Sequence, residues 1–270
     1  MEESITIEQT ITALTDLESE HLKVGEAMIK AYDGAIYAMD LFASGVLNRS
    51  LSLIAGFKSQ LECNFICAAP IVRLQLDNLL RFNAAFHVDD PHQFVVEVMN
   101  GAAIGDLRDR NGHRMTDRHL VDLMSKSIPQ IRQNYEVGCS YVHLSDRHIF
   151  HAVQIAEEGA ISIEIGGEER FVSDRLRLNA SMAMVTVSHE LLRFVYGWAY
   201  TKNNPERCTQ PFQFAERMLR EEKADEAASA LRSVIRDHYD PDAVSRAKQC
   251  LDQIESGMPT EQCLIALKAA

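Results

Sequence analysis

Positive charge is in short supply: 27 Lys and Arg face 39 Asp and Glu, for a formal charge of −12. A surface that attracts polyanions everywhere is therefore excluded, although a local basic patch is compatible with the total. Aromatic side chains make up only 7%, and no stretch of about 18 uninterrupted apolar residues occurs, so no membrane span is expected. The most apolar part, 65–86, is interrupted by Arg73, Gln75, Asp77, Asn78, Arg81 and Asn83. The opening MEESITIEQT is acidic and polar, with no basic segment ahead of an apolar run. It does not read as a secretory signal, and a cytoplasmic location is expected. Several catalytic signatures are missing too. Without GxxxxGK[ST], P-loop hydrolysis is excluded; without GxGxxG after a strand, GxSxG or HExxH, a dinucleotide fold, an α/β serine hydrolase and a zinc protease are unsupported.

What is present describes a globular chain. The apolar share of 46% and charged share of 24% are ordinary for a soluble domain, and 270 residues are enough for a real core. Six cysteines, Cys63, Cys67, Cys139, Cys208, Cys250 and Cys263, are scattered over a chain that needs no stapling, so they read as free thiols.

Apolar residues recur at helical steps up to about Leu47 (Ile29, Ile36, Met39, Phe42, Val46), which predicts two helices. A second helical block runs from about Ser50 to Phe86, with a kink or a new start expected at Pro70. Asp90-Pro91 opens a short helix that ends near Asn100-Gly101. Residues 101–119, GAAIGDLRDRNGHRMTDRH, hold three of the 13 glycines and an Asn-Gly pair, and read as an ordered loop or small hairpin. Thr116-Asp117 caps the next helix, and Pro129 starts another that is expected to run through Tyr141 to about His151.

After Gly159 the pattern changes to Ile161, Ile163 and Ile165 in alternation, then Gly166-Gly167, then Arg170-Phe171-Val172. This predicts a β-hairpin at about 160–172, inserted ahead of a long helix that ends before Asn203-Asn204-Pro205. The polar stretch from Asn203 to Gln210 marks a boundary, with a main domain at 1–204 and a helical hairpin module at 205–270. Ala215, Leu219, Ala224, Ala227, Leu231, Ile235, Tyr239 and Pro241 have the spacing of one tetratricopeptide-type hairpin, followed by another helix through Ala247, Leu251 and Ile254. A single such unit does not bury both faces, so the module is expected to meet the main domain or a protein partner. The expected fold class is all-α: a helical bundle with one short β-hairpin insertion and a C-terminal helical hairpin.

The segment YEVGCSYVHLSDRHIFH, 135–151, carries the most chemistry. On a helix, Tyr141, Ser145 and His148 fall at i, i+4 and i+7, which lines up a phenol, a hydroxyl and an imidazole. In IVRLQLDNLLR, 71–81, Arg73, Asp77 and Arg81 form an i, i+4, i+8 stripe on a helix that is otherwise apolar nearly all round. Such a helix is internal and its charges need partners, so the two stripes are expected to meet. The same pattern also suits a buried hydrogen-bond network that fixes helix register, with Arg73 and Asp77 as an ion pair inside it.

An arginine one turn ahead of an acid on an internal helix, followed by a Tyr-x-x-Leu-Ser…His segment, resembles the helical families related to HEPN domains (higher eukaryotes and prokaryotes nucleotide-binding), over about residues 30–200. The resemblance implies a helical bundle that dimerises and, in active members, metal-independent RNA cleavage in a toxin or defence setting. It also implies an Arg followed after four to six residues by a His at the dimer seam. Here Arg147 and His151 have three residues between them, while Arg108 and His113, and Arg114 and His119, have four. In catalysis, His148 or His143 would remove the 2′-hydroxyl proton of RNA and Arg73 or Arg147 would stabilise the developing phosphorane charge, with Tyr141 and Ser145 orienting the imidazole and Asp77 completing the polar centre.

The loop arginines Arg108, Arg110, Arg114 and Arg118 form the one phosphate-binding patch in view, although Asp106, Asp109 and Asp117 are interleaved with them and self-pairing in a solvated turn is the alternative. Of His143, His148 and His151, only the last two share a helical face, so no metal site is expected there and no cofactor is implied. The leading expectation is an intracellular HEPN-like protein acting on RNA. The alternative is a non-enzymatic interaction module.

Overall fold

The computed structural model describes residues 5–156, 159–167, 169–204, 211–237 and 241–268. The protein is 75% helical, with 12 helices and a two-stranded antiparallel hairpin among the described residues. No helix there is long and apolar enough to cross a membrane. The chain divides into two compact units, one of residues 1–30 and 34–196, the other of residues 31–33 and 197–270. The division falls inside the long helix before Asn203. The polar stretch at 205–210, including Cys208, lies outside the described residues.

The first unit is built from α1 (Ile7–Lys30), α2 (Ala38–Gln60), α3 (Phe65–Ala84), α4 (Pro91–Met99), α5 (Asp117–Met124), α6 (Gln130–Val142), α7 (Asp146–Ala152) and the first part of α8 (Asp174–Asn203). The caps anticipated from sequence are in place. Asp90 accepts the amides of His92 and Gln93 ahead of Pro91, and Thr116 accepts from His119. Pro70 neither starts nor ends a helix. The break in the second block comes at 61–64, where Asn64 caps α3 by accepting the Cys67 amide.

α3 is buried nearly all round, with Phe65, Ala68, Val72, Leu76, Leu79, Leu80 and Phe82 all inside. α2, α5 and α6 pack against it. Its polar core positions donate to neighbours on other helices. Gln75 donates to Ser50 on α2 and to Ser188 on α8 (2.9 Å), while the other face of Ser50 meets His21 Nε2 of α1 at 2.7 Å. Four helices thus contribute one polar group each to a fully enclosed chain of hydrogen bonds.

Burial lowers the pKa of His21, against the opposing pull of the Leu17 carbonyl and the Glu18 charge. The unfolded chain then takes up this proton more readily than the folded protein. The stability that depends on neutral His21 is complete above the ordinary imidazole value of about 6.5 and is lost as pH falls below it. Thermal melts at about pH 7.5 and about pH 5.5 should show an acid destabilisation of up to about 1.4 kcal/mol per pH unit from this group. The pH slope should flatten in His21→Gln, and an unchanged slope would refute the assignment.

Three sequence expectations need correction. The helix expected from Pro129 to His151 is two helices. His143 leaves α6 in an extended conformation (φ −108°, ψ 146°) and Ser145 caps α7. A serine followed by Asp146 competes well for a cap, because its hydroxyl satisfies an amide that the helix leaves orphaned. The β-hairpin pairs β1 (Val153–Ile155) with β2 (Ile161–Ile163), so the partner strand precedes Ile161, and Arg170-Phe171 forms a turn leading towards α8. Beyond β1, Gly159 adopts φ 82° and donates to the Ala156 carbonyl ahead of β2. Among the described residues the C-terminal part holds four helices: α9 (Pro211–Arg220), α10 (Ala224–Asp237), α11 (Pro241–Glu255) and α12 (Thr260–Lys268). Ala215, Leu219, Ala227, Leu231, Val234, Ala247, Cys250 and Cys263 form one core, so the second hairpin buries the face that a single hairpin would leave open. Tyr239 lies outside the described residues.

Candidate functional site

The break between α6 and α7 does not scatter the anticipated residues. It folds them together around Tyr141. The Tyr141 ring is buried and lies 6.2 Å from the His148 ring and 5.8 Å from the His151 ring, with Phe65 of α3 edge-on at 5.6 Å. The Arg147 guanidinium stands over the same ring at 5.4 Å. Ser145 joins through the cap: its amide donates to His148 Nδ1 at 3.2 Å, and its hydroxyl donates to the Ser140 carbonyl at 2.7 Å. His148 therefore accepts on Nδ1, and the neutral ring carries its proton on Nε2. His143 is exposed.

His151 is the residue that spacing arguments undervalued. It is 8% exposed, and its Nδ1 is buried without a hydrogen-bond partner. Burial lowers its pKa, Glu169 opposes, and the proximity of His148 and Arg147 lowers it further. A neutral imidazole with an uncommitted nitrogen thus sits beside a second imidazole and a guanidinium. Glu169 also caps the start of α3, accepting the Phe65 and Ile66 amides at 2.6 and 2.8 Å. The signal for His151 in the sequence was its position three residues after His148, one helical turn on.

The second stripe, on α3, meets α6 away from this cluster. Arg73 packs over the Tyr135 ring at 4.6 Å, touches Cys139, and has its Cβ against Gly138. Its ion-pair partner is Asp117 at 2.6 Å, not Asp77. Asp77 instead pairs with Arg81 (3.1 Å) and Arg49 (3.3 Å), and Arg81 also reaches Asp117. The i, i+4, i+8 stripe is real, but an acid from the first turn of α5 enters between its two arginines and takes both. Burial works against the Arg73 charge, yet Cys139, Asp117 and Asp77 outweigh it and raise the pKa. Arg73, Asp77 and Arg81 therefore form a structural ion network, while Arg147 is the cation beside the imidazoles.

The 101–116 segment is an ordered small hairpin turning at Asn111-Gly112. Arg108 and Arg114 face each other across it, and Met115 anchors it in the core. Three of the four loop arginines are engaged by the fold itself. Arg110 donates to the Phe86, His87 and Val88 carbonyls, Arg108 to the Gly112 carbonyl, and Arg114 pairs with Asp106. Arg118 is exposed on the first turn of α5. The same hairpin brings together Asp109, His113 and His119, whose ligand-capable atoms lie within 4.8 Å of one another. The spacing of these three in sequence matches no metal motif, so only the turn reveals them.

Separately, a groove of about 1010 Å³ runs between the N-terminal turns of α1 and α8, lined by Glu8, Glu62, Asp174, Arg175 and Arg177 among others. It includes no residue of the Tyr141 cluster. The chain matches no protein-family model, no curated protein and no solved structure.

Proposed function

We propose that this protein cleaves RNA without a metal, as the HEPN-like resemblance implies, with the cluster around Tyr141 as its centre. The observation that carries the reading is His151: a buried, neutral imidazole with a free Nδ1, beside an imidazole whose tautomer is set. Two imidazoles and one fixed cation are the groups that metal-free transesterification uses. His151 accepts the 2′-hydroxyl proton, and the 2′-oxygen attacks the adjacent phosphorus. The 5′-oxygen leaves with a proton from water, while the His148 Nε2–H donates to a phosphoryl oxygen and Arg147 neutralises the charge that gathers there. The products are a 2′,3′-cyclic phosphate and a 5′-hydroxyl end. This assigns His148 as a hydrogen-bond donor to the phosphoryl group, since its Nδ1 is occupied, and moves the base role to His151. The free thiols Cys63 and Cys67, both exposed, favour a reducing intracellular setting.

Total RNA incubated with the protein in EDTA should be cut to ends bearing cyclic phosphate. His148→Ala and His151→Ala should each lose about 100-fold or more of that activity, while His143→Ala retains it. RNA left intact at high protein concentration would overturn the proposal.

One observation favours a second reading, a non-enzymatic interaction module. Leu144, Ile149, Phe150, Ile155, Ile161, Ile163 and Ile165 are all exposed, on or beside α7 and the β-hairpin. Exposed apolar side chains concentrated in one stretch are characteristic of surfaces that meet another protein. Intact RNA in the experiment above would make this the better account.

A further inference from the structure

We propose that Asp109, His113 and His119 form a zinc-binding site in the 101–119 hairpin, independent of the Tyr141 cluster and sharing no residue with it. The donor set, two imidazoles and a carboxylate, suits zinc, whereas magnesium and calcium prefer an all-oxygen shell. The geometry is close to that of an occupied site. His119 Nε2 and Asp109 Oδ2 are 2.8 Å apart, and His113 Nδ1 is 3.6 Å from Asp109 Oδ1. Two ligands each about 2.0–2.1 Å from one zinc ion stand roughly 3 Å from each other, so the first pair needs almost no movement. The His113 and His119 rings lie 5.3 Å apart.

The scaffold around these groups is already set. Asp109 has a side chain only 2% exposed, and Oδ1 accepts the Asn111 and His113 amides at 3.0 and 2.8 Å. Those bonds turn Oδ2 towards His119 and supply the outer support that metal-ligating carboxylates usually have. Burial raises the Asp109 pKa, but the bonds from His119, His113 and Asn111 outweigh it and the net shift is downward, so the carboxylate is ionised at neutral pH. His119 sits on the first turn of α5, where Thr116 fixes the helix start. His113 is the mobile member, with a side chain 65% exposed. A small rotation brings its Nδ1 in, and three protein ligands at the surface leave the fourth position to water.

The competing account is a simple Asp109–His119 hydrogen bond that braces the turn, in which His113 has no part. His113→Ala separates the two, because a residue this exposed is not needed for folding. Zinc would be titrated calorimetrically into EDTA-stripped, dialysed full-length protein near neutral pH, with thermal melts in parallel. The expected result is saturable binding of one equivalent that raises the Tm, with affinity reduced about tenfold or more in His113→Ala and in Asp109→Asn. His189→Ala, which removes an exposed imidazole elsewhere, should bind as the parent does. Zinc taken up by Cys63 and Cys67 would be common to all these proteins and cancels in the comparison. Equal stoichiometry and affinity in His113→Ala, or no saturable binding by the parent, would overturn the proposal.

Discussion

Asp117→Ala should lower the unfolding free energy by about 2–3 kcal/mol, below the roughly 3–5 kcal/mol of a fully buried broken pair because water reaches part of this network. Asp117 receives both Arg73 and Arg81, one on each carboxylate oxygen. The Arg73 side chain is only 11% exposed, so removing its acid leaves a guanidinium with little water to solvate it. Asp117→Asn keeps an acceptor but not the charge and should lose less. The exposed pair Arg132–Asp122 gives the contrast, with both side chains close to half exposed. Asp122→Ala should cost under about 1 kcal/mol. Urea melts of the three variants check the ordering, and an Asp117→Ala midpoint equal to that of Asp122→Ala would rule the network out as a stabilising element.

Gly138→Leu should be comparably damaging for a different reason. A Cβ built on Gly138 comes to 3.0 Å from Arg73 Cβ and 3.4 Å from Arg73 Cα, so α6 and α3 approach nearly backbone to backbone. Alanine fits with a shift of a few tenths of an ångström, and its better helix propensity, about 1 kcal/mol over glycine, offsets the crowding. Leucine has no room. Overpacking of this kind costs about 1–3 kcal/mol, and it pushes α6 away from α3. Tyr141 rides on α6 while its edge-on partner Phe65 rides on α3, so the imidazole cluster should lose its geometry as well. Gly138→Ala close to wild type and Gly138→Leu markedly less stable is the expected pair of melting curves. Similar curves for both would contradict a tight crossing.

The helices were readable because their signals are local. Asp90-Pro91 and Thr116 announce their caps, and the apolar face of α3 announces an internal helix. The charged stripe on α3 was equally legible as a stripe, but its partner was not. Asp117 lies 44 positions from Arg73 along the chain, and its role as a helix-start residue hid its role as an ion-pair acceptor. The continuous helix through His151 failed because periodicity alone does not weigh a serine's preference for a cap against about two more turns of helix. His151 stayed outside the anticipated polar centre for the same reason, since only the bend at His143–Ser145 turns it inward beside Tyr141. Asp109, His113 and His119 became neighbours through the Asn111-Gly112 turn, whose sequence signal predicts a reversal of direction but not which side chains it sets face to face.

The enclosed chain from His21 through Ser50 and Gln75 to Ser188 has a further meaning for how the bundle settles. Leucine, valine and methionine contacts tolerate sliding, because one apolar neighbour replaces another at little loss. Directional partners do not. If any one of α1, α2, α3 or α8 slipped by a single turn, about 5.4 Å, its polar group would face hydrocarbon and strand its neighbours as well. These four side chains therefore work as a vernier, admitting one alignment of the rods and rejecting the near misses that a greasy interior alone would accept.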